Sequence, residues 1–255
     1  MRYDTRYRSR TSLFDWSFPS GVKWLLIANI GIYLVDFFGS FMRGDEIFGL
    51  LKLVPAQVIH GAIWQLVTYL FLHSLGGPGH IFFNMLALWM FGAPIEQTWG
   101  TKRFLQYYFL CGVGAGVCVV LANLAFGDPY QQVIGASGAI YGLLLAYGML
   151  FPEQEVLVAF LFPIKAKYMV MIFGGIAFVF SFQKGSTVSN LAHLGGMIFG
   201  FIYMKTQFGA RRTTTRPGYN FDFQKRWKEY KLQRSRRKFQ VYMKKHGPGD
   251  GPWVH

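Results

Sequence analysis

One run of small residues opens the apolar segment near the middle of the chain: Gly135-Ala136-Ser137-Gly138-Ala139-Ile140-Tyr141-Gly142. The segment stays apolar to about Leu150, which predicts a short membrane helix that begins near Ser137. A lone serine in such a helix usually serves packing or a hydrogen bond between helices. The run therefore indicates a catalytic site only if other polar residues meet it.

Five further apolar segments accompany this one. The chain of 255 residues is 52% hydrophobic and 18% aromatic, which is too apolar for an ordinary soluble domain. The six predicted transmembrane segments cover residues 22–38, 80–92, 104–125, 137–150, 168–183 and 190–206. The predicted fold class is an all-α membrane protein with one membrane domain over residues 22–206.

Positive charge is concentrated at the two ends of the chain. Residues 1–21 are basic, and the segment from Lys205 to the C-terminus has 14 Lys and Arg against 3 Asp and Glu. Six crossings place both ends, and the basic residues at 102–103 and 165–167, on one side of the membrane. The positive-inside rule makes that side the cytoplasm. We therefore expect a cytoplasmic N-terminus over residues 1–21 and a cytoplasmic tail.

The first outer loop, residues 39–79, is long and apolar. Loops of this length in compact domains are usually functional or packed. We expect short helices at the membrane surface, with Trp64 and Tyr69 at the level of the lipid headgroups.

Polar side chains lie at the outer ends of three segments that cross the membrane in the same direction. His80, Ser137 and His193 each lie near the start of the second, fourth or sixth segment, so they share a depth near the outer face. Asn84 follows His80 by four residues and shares its helix face. Interhelical hydrogen bonds would explain each residue alone, but an intramembrane histidine indicates a functional site.

Small residues predict that the fourth and sixth segments touch. They recur every four positions in both segments: Gly138 and Gly142 in the fourth, and Ala192, Gly196 and Gly200 in the sixth. Such pairs let two backbones approach closely in lipid. The contact would bring His193 against Ser137.

This arrangement predicts nucleophilic catalysis by a Ser–His dyad. A serine hydroxyl needs a base, and histidine is the usual base at neutral pH. Neither segment contains Asp or Glu, so we expect a dyad of Ser137 and His193 without an acid. Tyr141, one turn after Ser137, is a candidate to orient the imidazole. The candidate oxyanion donors are the Ser137 N–H and the side chains of His80 and Asn84.

Other membrane chemistries fit the sequence less well. A zinc protease would need His-Glu-x-x-His, which is absent, so no metal ligands are expected. A paired-aspartate protease needs an Asp in each of two segments, and Asp36 is the only candidate. A transporter would show internal repeats or more buried charge.

The chain resembles the rhomboid family of intramembrane serine proteases over about residues 20–206. Four motifs in family order carry the resemblance: Trp64-Gln65-Leu66 leading to Phe71-Leu72-His73; His80-x-x-x-Asn84; Gly135-Ala136-Ser137-Gly138 with Tyr141 and Gly142; and Ala192-His193 followed by Gly195-Gly196 and Gly200. The family often has Trp-Arg where this chain has Trp64-Gln65. Residues 76–79 also lengthen the usual spacing from His73 to His80.

The resemblance implies a six-helix rhomboid bundle that cleaves single-span membrane proteins near the outer face, without a cofactor. It implies Ser137 as nucleophile, His193 as base, and His80 and Asn84 in the oxyanion hole. It also implies an integral protein of the plasma (inner) membrane. We expect substrates to approach sideways, past the fifth segment. The alternative is a catalytically inactive relative that binds or escorts membrane proteins; such relatives lack the serine or the histidine.

The predicted tail, residues 207–255, mixes basic with aromatic residues. A plain extension that fixes topology and a partly helical segment on anionic lipid both fit this composition. No nucleic-acid-binding module is recognisable, so no nucleic-acid partner is expected.

Overall fold

A computed structural model describes residues 19–41, 48–158, 162–181 and 187–209. Long helices dominate these residues: α1 (Ser20–Phe41), α4 (Gly79–Trp99), α5 (Thr101–Phe126), α6 (Ser137–Leu150), α7 (Ala166–Phe180) and α8 (Thr187–Gly209). Between α1 and α4 lie α2 (Pro55–Ile59), α3 (Gln65–Thr68) and a 3-10 turn (Tyr69–Phe71). The first 18 residues and almost all of the predicted tail, 207–255, lie outside the described residues.

Each of the six predicted segments coincides with one long helix. By length and composition alone, two described helices are candidate membrane spans, over Ser20–Ser40 and Thr101–Phe126. Helices α6 and α7 are apolar but shorter, with 14 and 15 residues. The helical pattern is therefore as predicted, while length and hydropathy single out fewer spans than six.

Helix α4 runs seven residues beyond the predicted end of its segment, and this extension contains the buried Glu96. The buried Glu96 carboxylate accepts hydrogen bonds from the N–H groups of Gly21 and Val22, both at 2.8 Å, and from the Thr101 hydroxyl at 2.6 Å. The first N–H groups of a helix have no partner within it, and the helix dipole favours an anion at that end. Glu96 thus joins the start of α1 to the junction of α4 and α5.

The connection between α6 and α7 contains an antiparallel hairpin of β1 (Glu155–Val158) and β2 (Phe162–Lys165), so the predicted all-α class is wrong at this point. Strand β1 alternates in burial, with Val156 buried and Leu157 exposed. Alternation with β-branched residues favours a strand over a helix.

An ion-pair cluster lies at the base of this hairpin. The Glu153 carboxylate accepts hydrogen bonds from Lys165 Nζ at 2.9 Å and Lys167 Nζ at 2.6 Å. These two bonds lower the pKa of the exposed Glu153 to about 2. The end of α6 and the start of α7 are therefore connected at this end of the bundle.

Glycines let α5 pack closely against its neighbours. A Cβ at Gly112 would meet Leu70, and one at Gly114 would overlap the Phe199 ring of α8. Tyr107 of α5 donates a hydrogen bond from its hydroxyl to the Gly142 carbonyl of α6, 2.7 Å away. Helix α5 is thus the support against which α6 and α8 pack.

Tyr69 lies inside the bundle, so its ring does not face the lipid headgroups as predicted. Trp64 is half exposed, whereas Tyr69 is 1% exposed and donates its hydroxyl hydrogen to the Gly112 carbonyl, 2.7 Å away. The 3-10 turn after α3 points the Tyr69 ring into the bundle.

Gln65 stabilises the first outer loop from within. Its buried side-chain amide donates to the Leu50 carbonyl at 3.2 Å and to Gln57 Oε1 at 2.6 Å, and its oxygen accepts from the Val54 N–H at 3.0 Å. Buried polar groups need such partners. Gln65 therefore forms loop contacts of its own where the rhomboid family often has arginine.

Candidate active site

The segment that leads into Ser137 is held by the first outer loop. Leu53 and Val133 form an antiparallel bridge with N···O distances of 3.0 and 2.9 Å. Two residues later, the Gly135 N–H donates to the Tyr69 carbonyl at 2.9 Å. Gly135 has a φ of 121°, a left-handed conformation that only glycine adopts readily. This turn starts α6 at Ser137.

Ser137 and His193 meet across the interface of α6 and α8. Ser137 Oγ lies 2.9 Å from His193 Nε2, which is hydrogen-bond distance. His193 Nδ1 is buried and has no hydrogen-bond partner among the described residues. The pair therefore has the geometry of a dyad in which no carboxylate orients the imidazole.

Glycines bring these two helices together. A Cβ at Gly196 would overlap the Gly138 carbonyl, and one at Gly142 would lie 3.2 Å from the Gly196 oxygen. The fourth predicted packing residue, Gly200, instead faces Tyr107 and Cys111 of α5. Gly138, Gly142 and Gly196 thus lie in the α6–α8 contact, and Gly138 and Gly142 also lie against Ala115 and Cys111 of α5, the helix that Gly200 faces.

The Tyr141 ring stacks flat on the His193 ring. The ring centroids are 4.0 Å apart and the planes differ by 4°. Phe173 of α7 contacts Tyr141 edge-on, with centroids 6.5 Å apart. Stacking on one face of the imidazole restricts its rotation, which is the contact expected of a residue that orients the base.

His80 and Asn84 lie in the first two turns of α4, and Asn84 lines the same cavity as Ser137. A Cβ at Gly135 would lie 3.1 Å from both Cε1 and Nε2 of His80, so the ring edge lies directly against this turn. Asn84 is 7% exposed, and its Nδ2 has no hydrogen-bond partner among the described residues. Both predicted oxyanion donors are therefore near Ser137.

A cavity of about 380 Å³ adjoins Ser137 between α4, α6 and α7. Ser137, Asn84 and Tyr141 line it together with apolar residues that include Met169 and Phe173 of α7. A largely apolar cavity with a few polar groups is typical of a ligand-binding site. Across the described ranges, no three His, Cys, Asp or Glu residues cluster where they could hold a metal ion.

Sequence reasoning missed the groups that position these side chains. The Tyr69 carbonyl holds the Gly135 turn, and a main-chain acceptor has no signal in the sequence. Gly135 does have one, since a glycine just before a helix start indicates a turn that other residues disfavour. Glu96 has no distinctive signal, because one acidic residue near the end of an apolar segment is typical of a segment boundary.

The comparisons with known proteins all identify the same family. The model of the Rhomboid domain matches residues 60–209, more than half of the chain. Rhomboid protease GluP of Bacillus subtilis is 36% identical over 144 residues, which cover 56% of this chain and 26% of GluP. Rhomboid protein 1, mitochondrial, of Saccharomyces cerevisiae is 31% identical over 130 residues, 49% of this chain and 36% of the yeast protein.

Rhomboid-like protein 11, chloroplastic, of Arabidopsis thaliana is 31% identical over 196 residues, 72% of this chain and 64% of the plant protein. The chain thus spans between about a quarter and just under two thirds of the length of these three relatives. Taken with the domain match, these similarities show that the chain belongs to the rhomboid family, a family of integral membrane proteins.

Proposed function

We propose that this protein is a serine endopeptidase that cleaves single-span membrane proteins near the outer face of the membrane. The observation that carries the proposal is the 2.9 Å contact between Ser137 Oγ and His193 Nε2. A hydroxyl at this distance from an imidazole nitrogen can lose its proton as it attacks a carbonyl carbon. Family relatives that are named as proteases support the same chemistry.

The reaction follows from the two side chains. His193 Nε2 accepts the Ser137 proton while Oγ bonds to the scissile carbonyl carbon, which gives a tetrahedral intermediate with a negative oxygen. His193 then donates that proton to the leaving amine nitrogen, and the C–N bond breaks. Water, deprotonated by His193, hydrolyses the acyl-serine ester and restores both groups. Tyr141 holds the imidazole in plane through both steps.

Three donors surround the place where the negative oxygen forms. The Ser137 N–H is in the first turn of α6, where N–H groups have no acceptor within the helix. Asn84 Nδ2 is buried without a partner among the described residues, so its hydrogens are available. His80 lies against Gly135 and supplies the third donor. Prearranged donors of this kind stabilise the charge that develops in the transition state.

Substrate access is proposed to occur laterally, between α4 and α7. The cavity lies between these helices, and only Ala166, Met169 and Ala177 of α7 are buried. A helix with so few buried residues can move away at low cost. The loop after Phe182 is a further candidate gate, and residues 182–186 lie outside the described part of the chain.

The membrane arrangement completes the proposal. We place six crossings in the plasma (inner) membrane, with both termini in the cytoplasm, because this assignment puts most of the loop Lys and Arg on one side. The basic tail, 207–255, would then lie beside the anionic lipid of the inner leaflet. No cofactor and no nucleic-acid partner enter the proposal.

The test is cleavage of a single-span reporter in proteoliposomes by the parent, Ser137→Ala and His193→Ala. Both variants should lose about 10³-fold or more in rate while keeping the parent's circular dichroism spectrum. Cleavage that survives Ser137→Ala would refute the assignment.

A fluorophosphonate probe separates an unsuitable reporter from an inactive site, because it reacts with activated serines without any peptide substrate. Labelling of the parent but not of Ser137→Ala supports a working dyad, whatever the reporter. A folded parent that neither cleaves nor is labelled would favour the alternative, a rhomboid-like protein that binds or escorts membrane proteins.

A further inference from the structure

The two ring nitrogens of His80 have different surroundings. Nδ1 lies 3.3 Å from the backbone nitrogen of Ser74, whose N–H donates to it. Nε2, at the other edge of the ring, faces Gly135 in the turn before Ser137. The ring therefore bridges the segment before α4 and the segment before α6.

The Ser74 contact determines where the proton of His80 resides. A backbone N–H can only donate, so Nδ1 must present its lone pair. A neutral imidazole carries a single proton, and the partner of one nitrogen decides the state of the other. His80 is then protonated on Nε2, the nitrogen that faces the catalytic serine.

The direction of Nε2–H matters for chemistry at Ser137. Gly135 has no Cβ, and a Cβ there would meet Nε2 at 3.1 Å. The missing side chain lets the donor reach the turn where the oxyanion of the proposed reaction forms. The opposite tautomer would direct a lone pair at that oxyanion and repel it.

Neighbouring groups hold the His80 ring in this orientation. The His73 ring lies beside it, with centroids 5.2 Å apart and planes at 57°. Burial, and secondarily the His80 ring, lower the pKa of His73 to about 4, so His73 is a neutral neighbour at pH 7.

We infer that Ser74 is a positioning residue for the reaction: its backbone N–H keeps His80 in the Nε2–H tautomer, directed as an oxyanion donor at the nucleophile turn. The inference rests on the proposed function for its catalytic consequence. Its structural content, the tautomer of one ring, can be measured without any turnover.

The first measurement is ¹⁵N NMR of the full-length parent in lipid bilayers, with labelled histidine. The His80 signals are identified by their loss in His80→Gln. We expect a protonated Nε2 and an unprotonated Nδ1 that accepts a hydrogen bond. A protonated Nδ1, in either the other tautomer or an imidazolium, would overturn the inference, and this result needs no variant of Ser74.

The second measurement compares two substitutions at one position. Ser74→Pro removes the N–H, whereas Ser74→Ala removes only the hydroxyl and is the matched control. Ser74→Ala keeps the N–H and should keep the parent's His80 spectrum, and its kcat is the reference against which Ser74→Pro is compared. Ser74→Pro should shift the Nδ1 signal, populate both tautomers and lower kcat by about 10-fold at unchanged KM, as expected for a weakened oxyanion donor.

The outcomes separate the two proposals. A folded Ser74→Pro with the parent's spectrum and kcat refutes the positioning role, and a change in KM alone does so too. A parent that shows the expected tautomer but neither cleaves nor reacts with a fluorophosphonate refutes the proposed function and leaves the positioning of His80 intact. Should Ser74→Pro fail to fold, the parent spectrum still decides.

Discussion

Two neighbours of helix α6 differ in how closely they pack against it. Toward α8 it makes direct backbone contact at Gly138 and Gly196, and toward α7 it borders a largely apolar cavity of about 380 Å³. Ser137, in the first turn of α6, belongs to both sides: it contacts His193 of α8 and lines the cavity. The side toward α8, the closed side, thus holds Ser137 and His193 at a fixed distance. The side toward α7, the open side, leaves space for a substrate.

The largest effect should come from adding one methyl group to the closed side. Gly196→Ala would press a Cβ into the Gly138 carbonyl, so the helices must separate. Overpacking costs about 1–3 kcal/mol of stability, and separation also lengthens the Ser–His contact. We expect reporter cleavage to fall by about 10²-fold or more, since small displacements at a reaction centre have such effects.

The matched control is Gly175→Ala on α7, where a Cβ would meet nothing within 4 Å. Replacing a helical glycine by alanine at an open site stabilises by about 0.5–1 kcal/mol. Thermal unfolding and cleavage assays should therefore show an unchanged or slightly more stable, active enzyme. Equal behaviour of the two alanine variants would contradict the distinction between the two sides of α6.

A crosslink should close the open side. Cysteines at Phe83 of α4 and Phe173 of α7, two residues that line the cavity, can be joined by a short bifunctional reagent. Cleavage of the membrane reporter should fall by about 10-fold or more, because closure of an access path limits turnover. Labelling by a small fluorophosphonate should persist. Undiminished reporter cleavage by the crosslinked enzyme would exclude access between α4 and α7.

Tyr141 offers a smaller test of the closed side. Tyr141→Phe keeps the ring that stacks on His193, and Tyr141→Leu removes it. An aromatic contact contributes about 0.5–1.5 kcal/mol. We therefore expect a loss of up to about 10-fold in kcat for Leu and almost none for Phe. Similar losses in both variants would mean that the hydroxyl, and not the stacked ring, is the important group.

The smallest effect should come from the ion pairs that connect the end of α6 to the start of α7. The pKa of Glu153 is lowered to about 2 by its hydrogen bonds to Lys165 and Lys167, so any stabilisation is complete above pH 4.5, the ordinary value, and lost as pH falls toward 2. These groups are exposed, and salt screens such pairs. Glu153→Gln should leave cleavage at pH 7 nearly unchanged. It should also reduce the fall in melting temperature that the parent shows as pH is lowered. A large loss at pH 7 would show that α7 depends on this connection.

The sequence predicted the helices and the meeting of Ser137 with His193 from local patterns. Apolar segments mark helices, small residues four apart mark close contacts, and the alternating direction of crossings places residues at one depth. These signals depend on side chains within one segment. They suffice to bring His80, Asn84 and Tyr141 to the candidate site as well.

The features that the sequence did not predict depend on contacts between distant segments or on main-chain atoms. The Tyr69 carbonyl and the Ser74 N–H exist at every position of a chain, so no residue type reveals them. The strands at 155–158 and 162–165 were not predicted, because Pro152 and Pro163 in this connection disfavour regular secondary structure. Tyr69 looked interfacial because an aromatic residue in an outer loop usually is.

The Glu96 carboxylate has a consequence for the order in which the protein can assemble during synthesis. Its partner Gly21 precedes it by 75 residues, so the first turn of α1 leaves the ribosome long before its acceptor exists. Until α4 is made, those N–H groups depend on water or headgroups. Final docking of α1 must therefore wait for the C-terminal end of α4, and nascent chains truncated before residue 96 should leave the start of α1 open to proteases.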